Sequence, residues 1–503
     1  SCLNWCVGLF TAGVALTTLK NHKPRIKVKE SEECDQTVVI VGCGFSGLCT
    51  AIKLKERGIP FVIFEKKNEI GGTWLDNIYP GSGCDVPSYL YSFSFEPGYW
   101  SRKWASQKEI LQYIQDTARK YDIYSHTQFN CEVTEADFDE NKLLWNIKTS
   151  SGKSVYSRWF ICSTGQLNFP HIPNIPGKDL FEGENFHSAR WNYNVDLKGK
   201  TVAVIGNGAS AIQFVPQIAK EVEKLYVFQR TPSYIDEKND YEYSSFVKFL
   251  LNNIWGMQIL YRWGFYLSYE LLWPFLKKGK LNNFVSRHYL GMMRKRVDPS
   301  ISDVVMPNYL LGCKRILISS DYLPTLTKEH VHLINSPVDE ITKNSLLSDG
   351  KEYNADIIIF GTGFKTSKFL FPMKIKGLQG NLLHEIWNDE PFAYYGLCVP
   401  KFPNMFITYG PTTNLAHTSI IFMIECQVKY IIDSISYAAP RGLTLDLKQS
   451  AMDKFTKSVI KGVEDSVFST ECPGWYKTPS GAIVNNWPFS TLYYWWSTCV
   501  TGF

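Results

Sequence analysis

Gly42, Gly44 and Gly47 stand at the spacing G-x-G-x-x-G, and Gly206, Gly208 and Ala211 repeat that spacing with alanine in the third place. Such small residues let backbone N–H groups close on a pyrophosphate. The first turns the chain, the second admits the phosphate, and the third lets a helix pack closely with its N-terminus toward the charge. That chemistry needs a strand before each turn and a helix after it. An apolar strand from Thr37 to Val41 precedes the first turn, a helix is predicted to about Arg57, and a second strand ends at Glu65. Glu65 has the spacing of a ribose-hydroxyl partner. The second turn has its own strand in KTVAVI, its own helix, and a following strand that ends at Arg230. A carboxylate there would repel a 2′-phosphate, whereas an arginine attracts one. Two nucleotides are therefore expected, FAD at the first turn and NADPH at the second. The alternative for either turn is a glycine-rich bend in an unrelated α/β fold.

Two further strand-and-glycine units, WFICSTG from Trp159 to Gly165 and DIIIFGTGF from Asp356 to Phe364, read as crossings between a flavin domain and a nucleotide domain inserted into it. The expected class is α/β, with two Rossmann-like dinucleotide-binding domains and a helical insert. Residues 1–33 form a leader, 34–165 the first part of the FAD domain, and 166–365 the NADP domain with the insert at about 237–308. Residues 366–503 complete the FAD domain and the C-terminal segment.

Composition agrees with a multidomain globular chain. Its 503 residues are 45% apolar and 20% charged, which excludes collagen-like and disordered classes. The 53 basic and 48 acidic residues leave a net charge of +5, too small for a dedicated nucleic-acid binder. The 13 cysteines are scattered and never spaced CxxC, so no zinc site, dithiol or disulfide framework is expected and a reducing compartment fits best. Cys43 and Cys84, inside motifs, read as small packed residues.

The first nineteen residues carry no charge and lead into Lys20, Lys23, Arg25, Lys27 and Lys29. They read as a candidate membrane anchor with the body on the cytoplasmic side, against a buried or disordered leader. Opening on Ser1, the sequence is expected to be a fragment of a longer chain. The stretch from Ile254 to Leu276 is apolar and aromatic but holds Arg262 and Glu270. Those charges argue against spanning, leaving a packed insert or a helix lying in the membrane interface.

FEGENFHSARW, from Phe181 to Trp191, resembles the FxGxxxHxxxW signature of the class B flavoprotein monooxygenases, and within them the Baeyer–Villiger monooxygenases. Asn192 departs from that subclass, which usually has proline or aspartate there. GGTWLDNIYPGSGCD, from Gly71 to Asp85, is similar to a second signature of the family, and further resemblance runs from about residue 34 to 495. The resemblance implies that Asp85 and Arg315 form the active-site pair. Lys314 would help Arg230 hold the 2′-phosphate. Gly72, Thr73, Trp74, Asp85 and Tyr91, together with Ser210, Thr362 and Gly363, would join the glycine turns and Glu65 in contacting cofactors. Trp74, Tyr79 and Pro80 would wall the flavin ring, with plain core packing as the alternative, and His187 and Trp191 would position domains. No metal is implied.

The activity implied is insertion of one oxygen atom of O2 into a ketone or aldehyde by a C4a-peroxyflavin. A fixed guanidinium suits that chemistry, because it stabilises anions without losing its proton. N- or S-oxygenation of amines or sulfides is the alternative, and a turnover-inactive, membrane-associated flavoprotein the third reading. A disulfide reductase is disfavoured, since no cysteine pair is spaced for it. Partners are a small hydrophobic carbonyl or heteroatom substrate, O2 and an endoplasmic-reticulum-like membrane. No nucleic acid is expected.

Overall fold

A computed structural model describes residues 34–501, apart from 473, 475 and 479. The leader expected over 1–33 lies outside the described residues. Strand β1 (Gln36–Val41), helix α1 (Phe45–Arg57) and strand β2 (Phe61–Phe64) follow in order around the first glycine turn. From Val38 to Val41 the run of β1 is continuously apolar because both its faces are buried. Val38 and Ile40 face α1 and the helix Ile420–Ala438, while Val39 and Val41 face Phe138 and Trp145 of an antiparallel ribbon. β1 lies between β2 and β3 (Ser154–Cys162), parallel to both. On its far side β3 pairs in parallel with Met405–Ile407, Ile161 opposite Phe406. The chain thus leaves this sheet after Cys162 and comes back to it first at Lys374–Lys376, which pairs in parallel with Val133–Asp139, and then at Met405.

Between those points lies a second sheet of five parallel strands. In chain order they are β4 (Glu184–His187), β5 (Thr201–Ile205), β6 (Lys224–Phe228), β7 (Val331–Ile334) and β8 (Ile357–Phe360). β5 and β8 are neighbours at the centre, and β4 and β7 form the edges. The second glycine turn joins β5 to helix α2 (Ala211–Ile218). The two crossings run side by side: the His171 N–H donates to the Gly363 carbonyl at 2.8 Å and the Lys365 N–H to the Phe169 carbonyl at 2.9 Å.

The insert between β6 and β7 holds α3 (Ser245–Asn253), α4 (Met257–Glu270) and α5 (Lys280–Arg296). Ile254 to Leu276 is not one helix. Gly256, at φ +82°, turns the chain into α4, and Pro274 opens a separate 3-10 turn at Trp273–Leu276. No helix among the described residues is long and apolar enough to cross a membrane. The two charges in that stretch are its inward anchors. Arg262 donates to the carbonyls of Tyr89, Leu90 and Ser92 at 2.9, 3.3 and 2.6 Å. Glu270 accepts from the Thr491 N–H at 2.8 Å and from its hydroxyl at 2.6 Å.

The expectation of unpaired cysteines fails for one pair. Cys313 and Cys472, 159 residues apart, are joined by a disulfide, and the other described cysteines form none. Tertiary folding, not local spacing, brings the two together. The bond ties the segment before Arg315 to the C-terminal stretch that carries Tyr476. Cys472→Ser is expected to remove about 2–4 kcal/mol of stabilisation. A lower thermal unfolding midpoint would register it, and an unchanged midpoint would show that the closure contributes nothing.

Candidate active site

The first glycine turn is shaped by contact as much as by conformation. Gly42 has φ +94°, a region L side chains avoid, and a Cβ on Gly47 would lie 2.0 Å from the Gly42 carbonyl oxygen. Gly44 faces Gly72 so closely that a Cβ on Gly72 would come within 2.9 Å of the Gly44 Cα. Glu65 closes the turn: its carboxylate accepts from the Cys43 N–H at 2.7 Å and the Lys67 N–H at 2.9 Å. Burial raises the Glu65 carboxyl above the ordinary carboxylate range, with those two N–H groups acting in the opposite sense. Thr164 and Gln166, on the crossing that leaves β3, each bury a side-chain oxygen with no hydrogen-bond partner among the described residues. A buried acid at the end of β2, a close glycine notch and two unsatisfied oxygens fit the ribose, pyrophosphate and ring of a flavin dinucleotide.

The second turn is more open. A Cβ on Gly208 would lie 3.9 Å from the nearest atom, the Gly361 carbonyl oxygen, and Ala211 begins α2 directly after Ser210. Arg230 is exposed beyond the end of β6. Lys314 is half-buried, its ammonium 5.1 Å from the centre of the Tyr309 ring. Burial, and then the charge of Arg230, hold Lys314 down at about 8. Two cations that disfavour each other's charge fit a dianionic phosphate between them. Thr362, whose hydroxyl donates to the His171 carbonyl, and Gly363, at φ +76° with no atom near its Cβ position, border the same crossing.

Arg315 and Asp85 meet between the two nucleotide folds. Arg315 Nε donates to Asp85 Oδ2 at 2.7 Å, its Nη2 lies 2.6 Å from the same oxygen, and Nη1 reaches the Leu415 carbonyl at 3.3 Å. Burial alone would lower the guanidinium pKa, but Asp85 beside it more than reverses that and holds it raised. Both side chains remain about a quarter exposed, 26% and 27%, so a small molecule can reach the pair. Three tyrosines surround it that the motifs did not single out. Tyr409 and Tyr476 lie close enough to Arg315 to feel its charge, and Tyr269, on the inner side of α4, feels that of Asp85. A scan for aromatic residues inside the resembling segments would have flagged Tyr476 alone.

The remaining expectations divide. Trp74 is buried, and its indole N–H donates to the Tyr91 hydroxyl at 3.3 Å with the rings edge to face at 5.7 Å. Thr73 is exposed at the start of that helical turn. Tyr79, read as flavin wall or core packing, belongs to the second domain's core. It lies edge to face with Phe214 at 5.9 Å and hydrogen-bonds Gln213 Oε1 at 3.0 Å. The Gly71–Asp85 signature therefore docks one domain on α2 of the other through Tyr79, while Gln213 Nε2 also donates to the Gly83 carbonyl at 3.0 Å. Trp191 packs on Phe186 and Phe214 at 5.3 and 5.2 Å, a structural role. His187 is buried, accepts the Ala189 N–H at its Nδ1, and is pushed down to about 4, chiefly by burial, so it stays neutral. Cys43 and Cys84 are buried thiols that burial keeps protonated. Among the described residues no cluster of His, Cys, Asp or Glu could hold a metal ion.

Comparison with known proteins places this geometry. Residues 39–256 match the family described as pyridine nucleotide-disulphide oxidoreductase, a span that contains neither Cys313 nor Cys472. A Baeyer–Villiger monooxygenase of Pseudomonas aeruginosa is 37% identical over 459 residues, covering 90% of this chain and 87% of the relative. An FAD-binding monooxygenase of Aspergillus niger is 37% identical over 484 residues, covering 91% and 79%. Among solved structures, an oxidised steroid monooxygenase bound to NADP superposes with a TM-score of 0.84 at 27% identity, covering 93% of this chain and 97% of that one. A closed cyclohexanone monooxygenase gives 0.83 at 25% identity, covering 92% and 96%.

Proposed function

The chain belongs to the Baeyer–Villiger and FAD-binding monooxygenases, NADPH-dependent flavoproteins, and from that premise we propose that it inserts one oxygen atom into a ketone or aldehyde to give an ester or lactone. It uses FAD and NADPH. Bound at the two glycine turns, these supply reducing electrons and the activation of dioxygen, one atom of which enters the substrate while the other leaves as water. The observation that carries the proposal is the Arg315–Asp85 pair: a permanently charged guanidinium, fixed by a carboxylate from the other domain and still reachable. Attack on a carbonyl places negative charge on its oxygen. A fixed cation at that place stabilises the charge without reorganising, while Asp85 sets its direction and Leu415 its tilt.

One observation favours the neighbouring reading. Asn192 stands where the Baeyer–Villiger subclass usually has proline or aspartate, although oxygenation of an amine or sulfide would leave the fixed Arg315 cation without a task. Product analysis on ketone, sulfide and tertiary-amine panels separates the two. Esters or lactones are expected, and oxidised sulfides or amines with no ester would overturn the proposal.

At the second turn, Lys314 must carry its charge to hold the 2′-phosphate of NADPH. Its pKa is held down at about 8, so that charge is present below this pH and lost above it. KM for NADPH is therefore expected to climb as pH rises through about 8 in the wild type. In Lys314→Met it should start higher and stay flat. A wild-type profile without an inflection there would contradict the assignment.

A further inference from the structure

The outer face of the helical insert differs from the rest of the surface in two respects. Phe246, Phe249, Trp255, Leu260, Leu267 and Leu271 are all exposed, Trp255 to 91%. Leu260, Leu267 and Leu271 recur at helical spacing along one side of α4, the side opposite its anchor Arg262. Soluble monomers seldom leave so many large apolar side chains together in water. Within the insert itself, from α3 to α5, the exposed charge has one sign. Between residues 245 and 295 the only acid is Glu270, which is buried. Lys277, Lys278, Lys280, Arg287, Arg294 and Lys295 are exposed, and none is in an ion pair among the described residues.

We propose that this face is a docking surface for an anionic phospholipid bilayer, on which the insert lies without spanning. Exposed tryptophan and leucine beside a basic rim match the acyl boundary and the headgroup layer in turn. Each lysine or arginine near an anionic leaflet strengthens attachment, and a leaflet facing the cytoplasm carries that charge. A protein partner would have to be wholly acidic around an apolar centre, whereas a bilayer offers that arrangement by its nature. The chain outside the described residues points the same way: its first nineteen residues are uncharged and are followed by five basic ones. Inward anchoring by Arg262 and Glu270 keeps α4 attached to the body, so docking requires no unfolding.

The test is co-sedimentation of the full-length holoenzyme with phosphatidylcholine vesicles, with and without phosphatidylserine, over a salt series. Two variants accompany it, Trp255→Ser/Leu260→Ser/Leu271→Ser and Lys277→Glu/Lys278→Glu/Lys280→Glu. Wild type is expected on the phosphatidylserine vesicles, less so at high salt, and each variant should partition at least about ten-fold less. Flavin content and NADPH oxidation should be unchanged in both, which shows that folding is intact. Failure of wild type to bind, or equal binding by wild type and a folded variant, would overturn the proposal. So would a dimer that the apolar variant splits with no vesicle binding, since the face would then join two copies of this chain.

Discussion

Arg315→Ala is expected to go on oxidising NADPH while ester formation falls by about 10²–10³-fold, the usual loss when one preorganised donor to a developing oxyanion is removed. The two activities should separate because Arg315 is not part of either glycine turn. Its contacts are Asp85 and the Leu415 carbonyl. Arg315→Lys should recover only part of the loss. An ammonium lacks the fork that engages Asp85 through Nε and Nη2 together, and it can give up its proton where a guanidinium cannot. Asp85→Ala should behave similarly but less severely, since it frees the guanidinium without removing it. The readout is product formed per NADPH consumed. Equal losses in both quantities would mean that Arg315 serves nucleotide binding alone.

The second large effect is expected at Gly47. A Cβ there would sit 2.0 Å from the Gly42 carbonyl oxygen, backbone against backbone, where no side chain can yield. Gly47→Val should therefore open the turn between β1 and α1 and give protein without bound flavin, seen as loss of the yellow absorbance. Gly208→Ala is the informative contrast. Its Cβ would meet nothing closer than 3.9 Å, so the fold and the flavin should survive. Any rise in KM for NADPH then reports on the space the nucleotide itself needs. A yellow Gly47→Val protein would refute the reading of the first turn.

How much of this was legible in the sequence depends on how local each feature is. Gly42, Gly44 and Gly47 with Glu65 form a unit of consecutive elements, and the structure sets Glu65 directly after β2 as the spacing predicts. Arg230 likewise follows β6. Tyr79 takes the second of its two readings, core packing, because a turn of chain carries it away from Trp74 and across to Phe214. Tyr269 and Tyr409 could not be seen at all: each reaches the Arg315–Asp85 pair from a distant segment by tertiary contact. The same holds for Cys313 and Cys472, whose bond spans 159 residues. Arg262 and Glu270 were visible as interruptions of an apolar stretch. That both turn inward, leaving only cations outside, needed the structure.

Oxygen insertion is tested by turnover of a ketone by wild-type enzyme under 18O2 with NADPH, followed by mass analysis of the product. An ester or lactone carrying one labelled oxygen atom is expected, formed in proportion to the NADPH consumed. Consumption of NADPH with no labelled ester, while sulfide or amine substrates take up the label, would contradict insertion.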